Sequence, residues 1–141
     1  MPTDSMGRGW ADVLAEIPLF AGLSKRQLNK IAKLAKTRRY ARFTPIVRAG
    51  DRGDSFYVIL DGTALVKPPG KRGVRLGAGD WFGEMALLQA SGKRTATVTA
   101  DTDLTCVGMT SWAFKSFLAG HPDAAWQVIE TMAQREAATR E

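Results

Sequence analysis

The sequence predicts a mainly β, α+β fold: an antiparallel β-roll of jelly-roll or double-stranded β-helix type, with helices before it and two helices after it. Three observations carry this expectation. Apolar residues recur at helical spacing up to Leu34, short alternating segments joined by glycine-rich turns fill the middle, and helical spacing returns after Ser111. A chain of 141 residues matches the size of one hydrophobic core. A single domain over 1–141 is therefore expected, with helices at about 9–36, the roll at about 37–110 and the closing helices at about 111–139.

In the first part, Val13, Leu14 and Ile17, then Leu28, Ile31 and Leu34, fall on helical faces. Pro18 and Gly22 divide this stretch, and Ser24 followed three residues later by Gln27 forms a capping-box start. Tyr40 through Val47, Ser55 through Leu60, Thr63 through Lys67, Val74 through Leu76, Thr95 through Thr99 and Leu104 through Met109 read as strands. The intervening Ala49-Gly50-Asp51-Arg52-Gly53-Asp54, Asp61-Gly62, Pro68-Pro69-Gly70 and Gly77-Ala78-Gly79-Asp80 have turn chemistry. Ser111 is placed as the cap of a helix from Trp112 to Leu118, and Pro122 opens the last helix, which includes Trp126, Val128, Ile129 and Met132. No internal repeat or low-complexity tract divides the chain.

Composition narrows the function classes. Hydrophobic residues make up 45% and charged residues 24%, which are globular proportions. No apolar run approaches the ~20 residues of a membrane span, and the N-terminus lacks a secretory pattern, so a cytoplasmic location without a membrane span is expected. The single cysteine, Cys106, is assigned to the core. One histidine, His121, cannot build a multi-histidine metal centre, and no nucleophile stands with a base. Neither catalysis nor a cofactor or metal is expected. The net charge of +6 favours an anionic partner: nucleic acid, a membrane surface or a phosphorylated small molecule. Lys25, Arg26, Lys30, Lys33, Lys36, Arg38, Arg39 and Arg42 read as a solvated face, with a nucleic-acid footprint as the alternative. Trp10, Trp81, Trp112 and Trp126 read as core or interface fillers, and Trp126 could serve a dimer contact.

One segment carries recognisable chemistry. A phosphodiester is captured by backbone N–H groups that approach closely and by an arginine whose planar fork matches two oxygens. Gly83 permits the close approach, the following Glu84-Met85-Ala86-Leu87-Leu88 suits a helical turn, and Arg94 lies on a return loop. Glu84 adds a carboxylate able to accept a hydrogen bond from a sugar hydroxyl. Together these residues make a cradle for ribose and phosphate.

Phe82-Gly83-Glu84-Met85-Ala86-Leu87-Leu88, a loop, and Arg94-Thr95-Ala96-Thr97-Val98 resemble the phosphate-binding cassette of cyclic-nucleotide-binding domains. That family includes the catabolite activator protein, regulatory subunits of cyclic-AMP-dependent protein kinase and cyclic-nucleotide-gated channels. Pro18 through Leu23, Phe56 through Gly62 and the last helix resemble the family as well. The resemblance implies that Gly83 and the N–H groups of Met85 and Ala86 hold phosphate, that Glu84 binds the ribose 2′-hydroxyl, and that Arg94 grips the phosphate oxygens. Thr95 and Ala96 complete the pocket, Val66 and Val74 face the base, and Arg135 and Thr139 approach the ligand from the last helix. Lys93 departs from the family, where many members have proline before the arginine.

The expected function is a sensor that binds cyclic AMP in preference to cyclic GMP and repositions its C-terminal helix. The expected partners are an unknown effector protein and a second copy of the chain docked through that helix. No DNA-binding or other effector domain is expected within these residues. The alternative is a ligand-free interaction or nucleic-acid-binding domain that uses its basic helical face.

Overall fold

The computed structural model describes residues 14–53, 55–83 and 93–140. Leu14 and Ile17 are buried and lead into a 3-10 turn at Pro18–Phe20. Helix α1 spans Lys25–Leu34 and starts at the capping box expected from the sequence: the Gln27 N–H donates to Ser24 Oγ at 3.2 Å, and the Ser24 N–H donates to Gln27 Oε1 at 2.9 Å. Two orphan donors of the first turn are thereby satisfied. The helix buries Leu28, Ile31 and Ala32 and leaves its lysines in solvent.

Eight strands follow among the described residues: β1 (Lys36–Tyr40), β2 (Pro45–Val47), β3 (Ser55–Asp61), β4 (Ala64–Lys67), β5 (Val74–Leu76), β6 (Trp81–Phe82), β7 (Thr97–Ala100) and β8 (Leu104–Thr110). They form two antiparallel sheets ordered β1-β8-β3-β6 and β2-β7-β4-β5. Alternation along the strands separates two cores. Phe56, Val58, Val107 and Met109 face the helices, whereas Ile59, Leu104 and Cys106 face the roll interior with Phe82, Val98 and Ala100. Cys106 is fully buried, and desolvation pushes its thiol up to about 12.

The expected continuous strand from Tyr40 to Val47 is instead two strands separated by a turn. Phe43 takes a positive φ of 72°, and the turn is fixed from outside: the Phe43 N–H donates to Ala100 O at 2.7 Å and the Arg42 N–H donates to Asp103 Oδ1 at 2.9 Å. No glycine or asparagine marks this bend, because distant backbone holds it. The segment from Thr95 becomes regular only at Thr97, in register with Lys67 of β4.

Helix α2 spans Ser111–Gly120, and its cap is Thr110 rather than Ser111: the Ala113 N–H donates to Thr110 Oγ1 at 3.2 Å. Helix α3 spans Pro122–Arg140, with proline at its first position where no N–H is needed. Phe114 of α2 stacks on Phe56 of β3 at 3.9 Å, and Ala124 and Val128 of α3 join the same core. No helix among the described residues is long and apolar enough to cross a membrane. Of the tryptophans, Trp81 is buried, while Trp112 and Trp126 stand exposed because α2 and α3 bury other faces. Trp10 lies outside the described residues.

Candidate functional site

Arg94 is the one charged side chain buried among the described residues, at 7% exposure. Burying a guanidinium is costly unless its donors meet acceptors. Here Nη1 donates to the Gly83 carbonyl at 3.2 Å and Nη2 donates to the Ser55 carbonyl at 2.8 Å. Two carbonyl dipoles thus compensate the charge and aim the fork beside the first residues of the glycine segment.

The backbone of Arg94 is held equally firmly. Its N–H donates to Asp51 O at 2.7 Å, its carbonyl accepts from the Gly50 N–H at 2.8 Å, and Lys93 bridges Arg52 in antiparallel fashion. The Gly50-Asp51-Arg52-Gly53 turn therefore acts as a short rail for the return segment, so Lys93 in place of proline leaves an ordered ladder. The Ala49 N–H extends this ladder to Thr97 Oγ1 at 3.0 Å.

Two glycines shape the space around the guanidinium. At Gly83, φ is +97°, and an added Cβ would lie 2.8 Å from both Arg94 Nη1 and the Ser55 carbonyl. Gly53 is a residue that sequence reasoning left as turn chemistry. An added Cβ there would overlap Nε and Cζ of Arg94, so the side chain passes directly over the glycine. The only sequence signal for this role was a second glycine in a turn that needed one.

A cavity of about 210 Å³ borders Arg94 and is lined by Val47, Arg48, Arg52, Gly53 and Tyr57, among others. A larger groove of about 440 Å³ also borders Tyr57, and Arg94 is not among its lining residues. The candidate site is assigned to the smaller space, because burial, backbone anchoring and two carbonyl acceptors converge on its arginine.

The other expected site residues are distributed as follows. Phe82 is fully buried and stacks on Tyr57 at 4.9 Å, which makes it a wall beneath Gly83 rather than an open contact. Thr95 is exposed and Ala96 half-buried, directly after Arg94. Val66 and Val74 are partners in the β4–β5 ladder, Val66 half-buried and Val74 exposed. Glu84, Met85 and Ala86 lie outside the described residues. Arg135 and Thr139 fall on α3, with side chains outside the described set. The structure thus brings together Gly83, Phe82 and Arg94, and adds Gly53, Ser55 and Tyr57 to them. Among the described residues no cluster of histidine, cysteine or carboxylates could hold a metal ion.

This geometry sits in a fold with known relatives. The chain is 32% identical to a cyclic nucleotide-gated potassium channel of Rhizobium etli over 91% of its own length and 35% of the channel. It is 36% identical to the cAMP-dependent protein kinase regulatory subunit of Colletotrichum orbiculare, over 82% of this chain and 30% of that protein. The chain therefore spans about a third of the length of these relatives. Among solved structures, the cAMP-bound regulatory chain PfPKA-R superposes with a TM-score of 0.79 at 26% identity, covering 89% of this chain and 44% of that one. The family model described as the cyclic nucleotide-binding domain matches residues 37–121, from the second residue of β1 to the end of α2. With that match over more than half of its length, the chain belongs to the cyclic nucleotide-binding domain family.

Proposed function

We propose that this domain is a cyclic-nucleotide sensor in which Arg94 grips the cyclic phosphate, and that cyclic AMP is preferred to cyclic GMP. The observation that carries the reading is the buried Arg94 guanidinium, aimed by the Gly83 and Ser55 carbonyls toward the one segment with a phosphate-cradling sequence. A preorganised arginine fork pays little orientational entropy on meeting two phosphate oxygens. Gly83 and the N–H groups of Met85 and Ala86 complete the phosphate contacts, and Glu84 accepts from the ribose 2′-hydroxyl. Thr95 and Ala96 border the phosphate, Val66 and Val74 flank the base, and Arg135 and Thr139 close from α3. The preference for cyclic AMP rests on Thr139 reaching the base and on the cAMP-dependent regulatory subunits among the similar proteins.

A route from the site to the helices supports a signalling role. The Phe56 backbone lies beneath Gly83, and its ring stacks on Phe114 of α2, whose neighbours in the core include Val128 of α3. Nucleotide that shifts the Gly83 segment acts on this stack, and differential affinity for two positions of α3 turns binding into output. The sensor works without catalysis or a cofactor, in the cytoplasm, through an effector protein. Trp126 and Ile129, exposed at 61% and 52% on α3, supply an apolar face for a second copy of the chain.

Calorimetric titration with cyclic AMP and cyclic GMP, on wild type and Arg94→Ala, tests this reading. Tighter binding of cyclic AMP, weakened about 100-fold in the variant, is expected from loss of charge-assisted hydrogen bonds in a desolvated site. Absence of binding to wild type, or unchanged affinity in the variant, contradicts it.

A further inference from the structure

The 440 Å³ groove shares Ser55 and Tyr57 with the candidate nucleotide site but is not lined by Arg94, and its chemistry is pronounced. Lys36, Arg38 and Arg39 of β1 line it, and among the described residues no acidic side chain does. All three cations are exposed, and none is ion-paired with an acid among the described residues. On its floor, the Tyr57 ring and the apolar Arg38 stem lie within ordinary contact distance of a Cβ built on Gly108, at 3.7 and 3.6 Å. At the rim, Leu34 is 44% exposed.

The positive charge continues outside the groove. Arg26, Lys30 and Lys33 follow one another at i, i+4 and i+7 on the solvent side of α1, opposite buried Leu28, Ile31 and Ala32. They form a track about 10 Å long that runs toward Lys36. Strand β1 is also a terminal strand of its sheet, paired only with β8 among the described residues. Its outer backbone edge, unpaired among the described residues, is a template for another extended chain, while its cations disfavour pairing with a second copy of this basic protein.

We propose that the β1 edge and its groove dock an extended acidic segment of a partner protein, with carboxylates on Lys36, Arg38 and Arg39 and one apolar side chain on the Tyr57–Gly108 floor. A strand edge unpaired among the described residues favours a peptide over a nucleic acid, which has no backbone amides to complete a sheet. Charge complementarity selects acidic over neutral peptides and sets a salt-dependent association.

The test is fluorescence anisotropy with a labelled eight-residue peptide of glutamates around one central leucine, and with a single-stranded oligonucleotide of equal charge. Two variants separate charge from shape: Lys36→Gln/Arg38→Gln/Arg39→Gln neutralises exposed side chains, and Gly108→Leu plugs the floor without changing charge. Thermal melting reports whether each remains folded. The proposal expects the peptide to bind wild type more tightly than the oligonucleotide does, and to weaken about tenfold in either folded variant. It is overturned by no peptide binding to wild type, by tighter oligonucleotide binding, or by a folded variant that binds the peptide as wild type does. If Gly108→Leu unfolds, Leu34→Ser takes its place and must weaken the leucine-bearing peptide more than an all-glutamate one.

Discussion

Two cationic regions border Tyr57, and they are built in opposite ways. Arg94 is buried, its backbone is railed by Gly50 and Asp51, and its fork is aimed by two carbonyls. Lys36, Arg38 and Arg39 are exposed on an edge strand and no acid among the described residues pairs with them. A buried and oriented cation discriminates between anions by geometry, since any loss of alignment leaves a desolvated charge. An exposed cluster attracts by long-range field and contributes little per residue. Specificity for a compact phosphate thus belongs to the first region, and tolerant attraction of an extended partner to the second.

The largest break in this contrast is expected from Gly83→Ala. A side chain at φ +97° costs on the order of 1–3 kcal/mol, and the added Cβ also meets Arg94 Nη1 and the fixed Ser55 carbonyl. Nucleotide affinity should become undetectable and the melting temperature should fall; a variant that melts and binds like wild type refutes the close-approach role.

Gly53→Ala sharpens the comparison further, because its φ is ordinary and the nearest obstacle is the anchored guanidinium of Arg94. Stability should fall by about 1–3 kcal/mol, because the displaced guanidinium loses its carbonyl partners, while nucleotide affinity falls about tenfold. Equal affinity would show that Arg94 reaches phosphate by another path.

Neutralising Lys36, Arg38 and Arg39 together should alter nucleotide affinity by no more than about threefold at physiological salt, because screened exposed charges contribute only weakly. A loss comparable to that of a buried arginine would merge the two regions into one site.

The smallest effect concerns Asp101. The Arg75 guanidinium, 2.9 Å away, holds its carboxyl below the usual 3.8. A depressed carboxylate contributes stability above its unfolded pKa and loses it as pH falls through the folded value. Wild type and Asp101→Asn should therefore converge in melting temperature below about pH 4 and differ slightly at pH 7. A difference that grows on acidification contradicts the sign.

Much of this organisation was legible in the residues. Period-two segments with glycine turns imply a roll, and the Ser24–Gln27 capping box and Pro122 marked helix starts where they occur. The bend at Phe43 was hidden because hydrogen bonds donated to the Ala100 carbonyl and the Asp103 carboxylate create it, with no local turn signal. Trp112 stands outside the core for a related reason: α2 buries Ala113, Phe114 and Phe117, and this choice of face depends on where β3 lies. In the site, Gly83 and Arg94 stood out through spacing, whereas Gly53 became meaningful only once the arginine side chain was seen to cross it. Contacts made by distant segments are the part that local pattern does not record.

The account turns on whether Arg94 acts on the phosphate itself. The most direct measurement compares Arg94→Ala with wild type for two ligands, cyclic AMP and adenosine, which lacks the phosphate. The account predicts an affinity loss of about 100-fold for cyclic AMP and no more than about twofold for adenosine. Equal losses for both ligands would mean that Arg94 supports the fold of the pocket without gripping phosphate, and would contradict the central claim.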